Sequence, residues 1–478
     1  MNTWIVFGVV FGYFALLMLV SWLTSRNNSN ETFFTGNRRS PWYLVAFGMI
    51  GASLSGVTFI SVPGEVGNTG WSYFQFVLGN LVGYWVVAKA LIPLYYKLKL
   101  VSIYAYLNQR FGFRTYKTGS FFFLVSQTIG ASFRLFLVAG VLQLAFFNAF
   151  NIPFWATVLI TIILIWCYTF RGGIKTIVWT DTFQTLFMLG SVIITIIVIA
   201  NRLDYSAIDM IYNIGEHEYS KIFSWDWQSP RNFFKQFLAG IAVVIVMNGL
   251  DQNMMQKNLT CKNTKEAQKN VYYFSFSFVL ANILFLSLGV LLYVFAQQQG
   301  ISLPTKSDDM YAFLALNHFG LLAGIVFLLG ITAAAYSSAD SALTALTTSF
   351  CVDFLGGDVT RRKRLLIHLM FSAIMFFVIV LFDILNNDSV VTAVFKVAGY
   401  TYGPLLGLFA FGMGSKRLVR DKWVPVVCVL SPVLTYLLNS YSVELLWGYR
   451  FGFELLIANG LITFAGLWIV SYSSNEKK

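Results

Sequence analysis

Near the middle of one long apolar segment the chain reads Ala333-Ala334-Ala335-Tyr336-Ser337-Ser338-Ala339-Asp340-Ser341, which places hydroxyls and a carboxylate where lipid favours hydrocarbon. Oxygen ligands without histidine or thiolate suit a hard cation such as sodium. Ser337, Asp340 and Ser341 fall at i, i+3 and i+4 on one helical face, with Ala334 one turn below. Ser338 is turned about 100 degrees away, towards carbonyls that a neighbouring broken helix would free. Close helix packing would account for the alanines and serines, but not for Asp340, which is costly at membrane depth.

Glu65, Lys89, Arg134, Asp181, Asp251 and Lys396 also fall within or at the edge of apolar segments. Each must face a bundle interior or a wet cavity. Glu65, Lys89 and Asp251 lie towards segment ends, where snorkelling or a loop contact explains them. Lys396 lies deeper, and neutralising a buried carboxylate is one role open to it. Arg134, at the end of Gln127-Thr128-Ile129-Gly130-Ala131-Ser132-Phe133-Arg134, offers a planar fork matched to a carboxylate. It either pairs with Asp181 or Asp340 or anchors an anionic substrate. Asp181, in the stretch Gly172 to Gln184, either satisfies backbone donors at a helix start or gives a cation the formal charge that hydroxyls lack.

These residues need a membrane bundle to position them. With 57% hydrophobic and 11% charged residues and a mean hydropathy of +0.68, the 478-residue chain is not a water-soluble globular protein. A spanning helix needs about 20 apolar residues, and 13 such segments can be drawn. The expectation is an all-α membrane protein forming one transporter domain over 1–478. It comprises an extra N-terminal helix at 3–24, a first repeat at 42–201, a second at 232–413 and two C-terminal helices at 423–473.

The first segment has no basic residue ahead of it and no small-residue cleavage site after it, and so reads as a retained helix with the N-terminus outside. Cytoplasmic loops are rich in Lys and Arg. Starting outside, the inner segments carry 24 of the 33 basic residues, among them Arg38, Arg39, Arg361 to Arg364 and Lys477, and the outer segments six. That asymmetry puts the C-terminus inside and makes the net charge of +12 a topology signal rather than a nucleic-acid footprint.

Two expected spans carry helix breakers: 42–66, with Gly48, Gly51, Ser53, Ser55, Gly56, Pro63 and Gly64, and 232–255, with Gly240, Asn248, Gly249, Asp251 and Gln252. Broken helices are tolerated at membrane depth where they line a cavity or bind an ion. Breaks in matching positions of two halves point to the binding site of an inverted-repeat transporter. Spans two to six and seven to eleven give two sets of five, each led by its broken helix. Three scattered histidines, four cysteines without ligand spacing and no glycine-rich phosphate loop weigh against enzymatic and nucleotide-driven chemistry.

Four motifs together carry a resemblance over nearly the whole chain: Gly51-Ala-Ser-Leu-Ser-Gly56 with Pro63-Gly64, Gly172 to Gln184, Asp251-Gln252 with Gln256-Lys257, and the Ala-Ala-Ala-Tyr-Ser-Ser run. They resemble the sodium/solute symporter family, with its LeuT-type fold of two inverted five-helix repeats, and in site residues its sialic-acid-type members. The resemblance implies a sodium site from the carbonyls of Gly51, Leu54 and Ala334 and the hydroxyls of Ser337 and Ser338. It implies a second ion site at Asp181, Ser337, Asp340 and Ser341, although Asp340 stands where a hydroxyl is expected. Ser53, Ser55 and Thr58 match substrate-holding positions and Arg134 a carboxylate-binding arginine. Gln75, Asn80 and Gln127 are further candidates for the pocket wall.

The function that follows is sodium-coupled import of a small organic solute by alternating access, with an organic acid or acidic sugar favoured over a neutral sugar or polyol. A membrane sensor is the competing class, and no enzyme activity is expected. The expected setting is a bacterial inner membrane, with the lipid bilayer and a small solute as partners.

Overall fold

A computed structural model describes residues 3–24, 30–385 and 390–473. Arg26, Lys477 and Lys478, counted among the inner basic residues, lie outside the described residues. The principal helices are α1 (Thr3–Thr24), α2 (Trp42–Ser53), α3 (Gly56–Thr69), α4 (Tyr73–Val86), α5 (Phe113–Ala145), α6 (Phe154–Arg202), α7 (Phe233–Val244), α8 (Gln252–Asn258), α9 (Thr264–Gln298), α10 (Leu321–Ser349), α11 (Arg361–Leu385), α12 (Val390–Thr401), α13 (Gly403–Gly414), α14 (Val424–Ser440) and α15 (Leu455–Ile469). Two residue pairs, Leu418–Val419 and Ser471–Tyr472, form the sole sheet among the described residues.

Among the described residues eight helices are long and apolar enough to cross a membrane, or ten if each of two bent pairs counts as one span. The expected fifth and sixth spans run together in α6, whose path turns at Gly173 with φ 54°. A side chain there would collide with Phe33, since a Cβ would lie 2.6 Å from the Phe33 Cα.

Both expected breaks are present. Helix α2 ends at Ser53 and α3 resumes at Gly56. Helix α7 widens into a π turn at Ile245–Gly249, and α8 leaves it at 68°. A break at this depth frees carbonyls that must find donors. The Tyr95 hydroxyl donates to the Gly249 carbonyl at 2.9 Å, and the Tyr104 hydroxyl donates to that of Leu250 at 2.8 Å. A third bend, 45° between Ala393–Thr401 and α13, follows Tyr402 and precedes Pro404, which cannot continue a helix ladder.

The largest helix interfaces are α6 with α10 and α4 with α7, and α2 lies on α6. Small residues permit this: a Cβ at Gly240 would sit 2.2 Å from the Phe76 carbonyl oxygen, and one at Gly79 would sit 2.0 Å from that of Phe237. Backbones that close gain dispersion contacts that larger side chains would forbid.

Candidate functional site

The two helix breaks face each other, with the Ser53 hydroxyl donating to the Asn248 carboxamide oxygen at 3.4 Å. Between them lies a cavity of about 100 Å³, lined among others by Ser53, Ser55, Thr58, Asn80, Gln127, Arg134, Asp251 and Asn253. Five of the six expected substrate residues therefore meet at one place, as does Asn80. Gln75 does not. It is buried outside the cavity wall, its amide donating to the carbonyls of Ser72 and Arg231 and its oxygen accepting from the Ser224 amide, so it ties α4 to the chain leading into α7.

Arg134 joins neither carboxylate that the sequence offered it. The one ion pair within 4.0 Å among the described residues is Lys257 with Asp181. Asp251, expected to be a structural residue at a span end, both caps α8 and lines the cavity. Its Oδ1 accepts from the amides of Asn253 (2.8 Å) and Met254 (3.3 Å), and its Oδ2 accepts from the Tyr402 hydroxyl at 2.5 Å. The carboxamide oxygen of Asn253 and the carboxamide nitrogen of Gln127 are buried and lack partners. Buried polar groups of this kind call for a ligand or water.

The expected common cation site brings the end of α2 against α10 and α6. Gly51, Leu54, Ala334, Ser337 and Ser338 are all buried. The Ser338 hydroxyl donates to the Ala334 carbonyl at 3.3 Å, and that of Ser337 donates to Asp181 Oδ1 at 2.8 Å. A hydroxyl that has given its hydrogen away keeps its lone pairs for a cation. The set is oxygen throughout, and no cluster of three His, Cys, Asp or Glu side chains suited to a softer metal occurs among the described residues. Thr185, which sequence reasoning passed over, pins the break: its hydroxyl accepts from the Gly51 amide at 3.0 Å and donates to the Asp181 carbonyl at 2.8 Å. Its spacing of i+4 from Asp181 was the available signal.

At the expected second ion site, Lys257 Nζ lies 2.6 Å from Asp181 Oδ2, both side chains 1% exposed. With Ser337 on the other oxygen, Asp181 already holds a cation of the protein's own. Asp340 is fully buried and accepts from Ser341 at 3.2 Å. Of the remaining charges, Glu65 accepts from the Ser307 hydroxyl at 2.6 Å, Lys89 lies 3.8 Å from the centre of the Trp85 ring, and Lys396 is exposed.

A model of the sodium:solute symporter family matches residues 33–421. The chain belongs to that family. It is 23% identical to the sodium/sialic acid symporter SiaT of Proteus mirabilis, over 96% of this chain and 93% of that protein. It is 26% identical to the human sodium/iodide cotransporter, over 84% of this chain and 65% of that one. The solved structure of a Na+-coupled sialic acid symporter in a substrate-bound outward-open state superposes with a TM-score of 0.84 at 21% identity, covering 97% of each chain. MHP1, a nucleobase-cation-symport-1 family transporter, matches at a TM-score of 0.56 and 14% identity, over 93% of this chain and 95% of that one. These likenesses establish the fold. As a family member the chain is a sodium-coupled membrane symporter of a small solute.

Proposed function

We propose that this symporter imports a small organic acid, with the substrate carboxylate on Arg134 and sodium held by Gly51, Leu54, Ala334, Ser337 and Ser338. The observation that carries the reading is Arg134, a guanidinium in the cavity between the two helix breaks with no protein carboxylate within ion-pair distance. Asp251 lines the same cavity but lies beyond 4.0 Å, which leaves the guanidinium's donors open to an incoming anion. The relatives named for sialic acid and iodide support an anionic cargo, and the narrow cavity favours the compact end of the range.

Sodium ties α2 to α10. Occupancy would stabilise the substrate-competent arrangement, and loss of the ion to a low-sodium compartment would release it, which is coupling by differential affinity. We read Asp181 as the partner of Lys257 rather than as a ligand of a second ion. The full arrangement we favour has 13 traversals of a bacterial plasma membrane, N-terminus outside and C-terminus inside, with inverted repeats at 42–201 and 232–413.

The test is thermal stability of the purified protein against a panel of organic acids and neutral sugars, in sodium and in potassium. A ligand that binds only the folded state raises the melting temperature by mass action. An organic acid that stabilises in sodium alone, with the effect lost in Arg134→Ala, supports the reading. Stabilisation by neutral sugars, unchanged in that variant, contradicts it.

A further inference from the structure

Arg134 is not the sole charge in the cavity. Asp251 lines the same cavity from the start of α8, and the two lie more than 4.0 Å apart, since no ion pair joins them. Two side chains of opposite ionic type therefore line one confined space without pairing with each other. Beside Asp251 is the Asn253 carboxamide oxygen, 4% exposed and without a hydrogen-bond donor. The cavity wall thus offers a cationic fork on α5 and, on α8, a carboxylate beside an acceptor without a donor. The Tyr402 hydroxyl holds Asp251 in place at 2.5 Å.

A plain monocarboxylate would satisfy Arg134 but leave the Asn253 oxygen without a donor and the Asp251 carboxylate without a counter-charge. From this second pole we infer that the substrate is a compact zwitterion, carrying a carboxylate for Arg134 and an ammonium for Asp251 and Asn253, as a small amino acid does. The inference rests on the carboxylate reading above and adds the opposite charge. A neutral hydroxyl could take one acceptor, but it would leave the Asp251 charge uncompensated, whereas an ammonium supplies both donors and charge. Because Arg134 lies on α5 and Asp251 at α8, a substrate bridging them would draw the two helices together. A substrate lacking either group would close the site poorly.

The experiment is sodium-dependent ligand binding to the purified full-length protein, read as thermal stabilisation and titrated. The twenty amino acids are compared with the matching acids that lack the amine, such as alanine against propionate and lactate. We expect at least one amino acid to bind about tenfold to a hundredfold more tightly than its amine-free partner, the range for a charge-assisted hydrogen bond. In Asp251→Asn, which preserves the cap of α8 because Asn is as good a cap as Asp, that preference should disappear while carboxylate binding persists. Equal binding of amine-bearing and amine-free acids in the unaltered protein overturns the inference while leaving the Arg134 anchor intact, whatever the fate of the variant. Failure of every carboxylate to bind in sodium, with neutral sugars binding instead, overturns the anchor and this inference together.

Discussion

Replacing Lys257 by methionine would take the cation away from a carboxylate that is 1% exposed. Asp181 would keep the Ser337 hydroxyl but lose its charge partner, and breaking a buried ion pair in this way costs about 3–5 kcal/mol. At 1.4 kcal/mol per decade, that is about two to four decades in the ratio of folded to unfolded protein. Removing both charges, as in the Lys257→Met, Asp181→Leu double variant, leaves no orphan, and such apolar replacements are often neutral or stabilising by about 1–4 kcal/mol. The double variant should therefore be more stable than either single one, with a large coupling energy in the cycle. The assay is unfolding of the purified protein in detergent with potassium as the only alkali cation, so that sodium binding does not enter. A cost below about 1 kcal/mol for Lys257→Met, the floor of the buried-pair range being several times that, would refute the reasoning. So would a double variant as unstable as the two single costs added together. In Lys257→Ala the freed carboxylate and Ser337 form an anionic oxygen set, and sodium should restore part of the lost stability where potassium does not.

Gly240→Val should prevent the close approach of α4 and α7, since even a Cβ added there would lie 2.2 Å from the Phe76 carbonyl oxygen; overpacking of this kind costs about 1–3 kcal/mol or more, read as a lower melting temperature. Tyr402→Phe should leave the fold standing and weaken substrate binding by about tenfold, the worth of a hydrogen bond to a charged group, because Asp251 loses its hold at 2.5 Å. Asp308 lies on the short helix Ser307–Asn317 outside the spans, and burial, aided by Glu65 and Asp309, pushes its carboxyl above the usual carboxylate range. A raised folded-state pKa means that the folded protein binds the proton more tightly than the unfolded chain does. Stability should thus be greater below the ordinary carboxylate pKa and fall as pH rises through the shifted value, and Asp308→Asn should flatten that dependence in a pH series of melting curves.

What the sequence made legible follows from local chemistry. Glycine, serine and proline in 42–66, and glycine, asparagine and aspartate in 232–255, predicted two broken helices because such residues weaken a helical ladder, although Gly48, Pro63 and Gly240 themselves lie inside helices. Ser337 and Ser341 shared a face by spacing alone. What it hid depends on contacts between distant residues. Lys257 reaches Asp181 across 76 positions, a pairing no periodicity announces. Gln75 carries the same amide as Gln127, yet packing sends one to the loop before α7 and the other to the cavity. Asp251 looked like a span-end residue because its cap bonds are local, and its cavity face emerged only once Tyr402 was folded against it. The turn at Gly173 was indistinct because glycine tolerates both helical and left-handed backbone.

The central claim is a sodium site where α2 breaks against α10, and equilibrium binding of radiolabelled sodium to the purified protein in a potassium background tests it most directly. The account predicts saturable binding that Ser338→Ala weakens by about ten- to a hundredfold, the loss expected when one oxygen of a charged contact is removed. Binding that does not saturate, or that Ser338→Ala leaves unchanged, would contradict it.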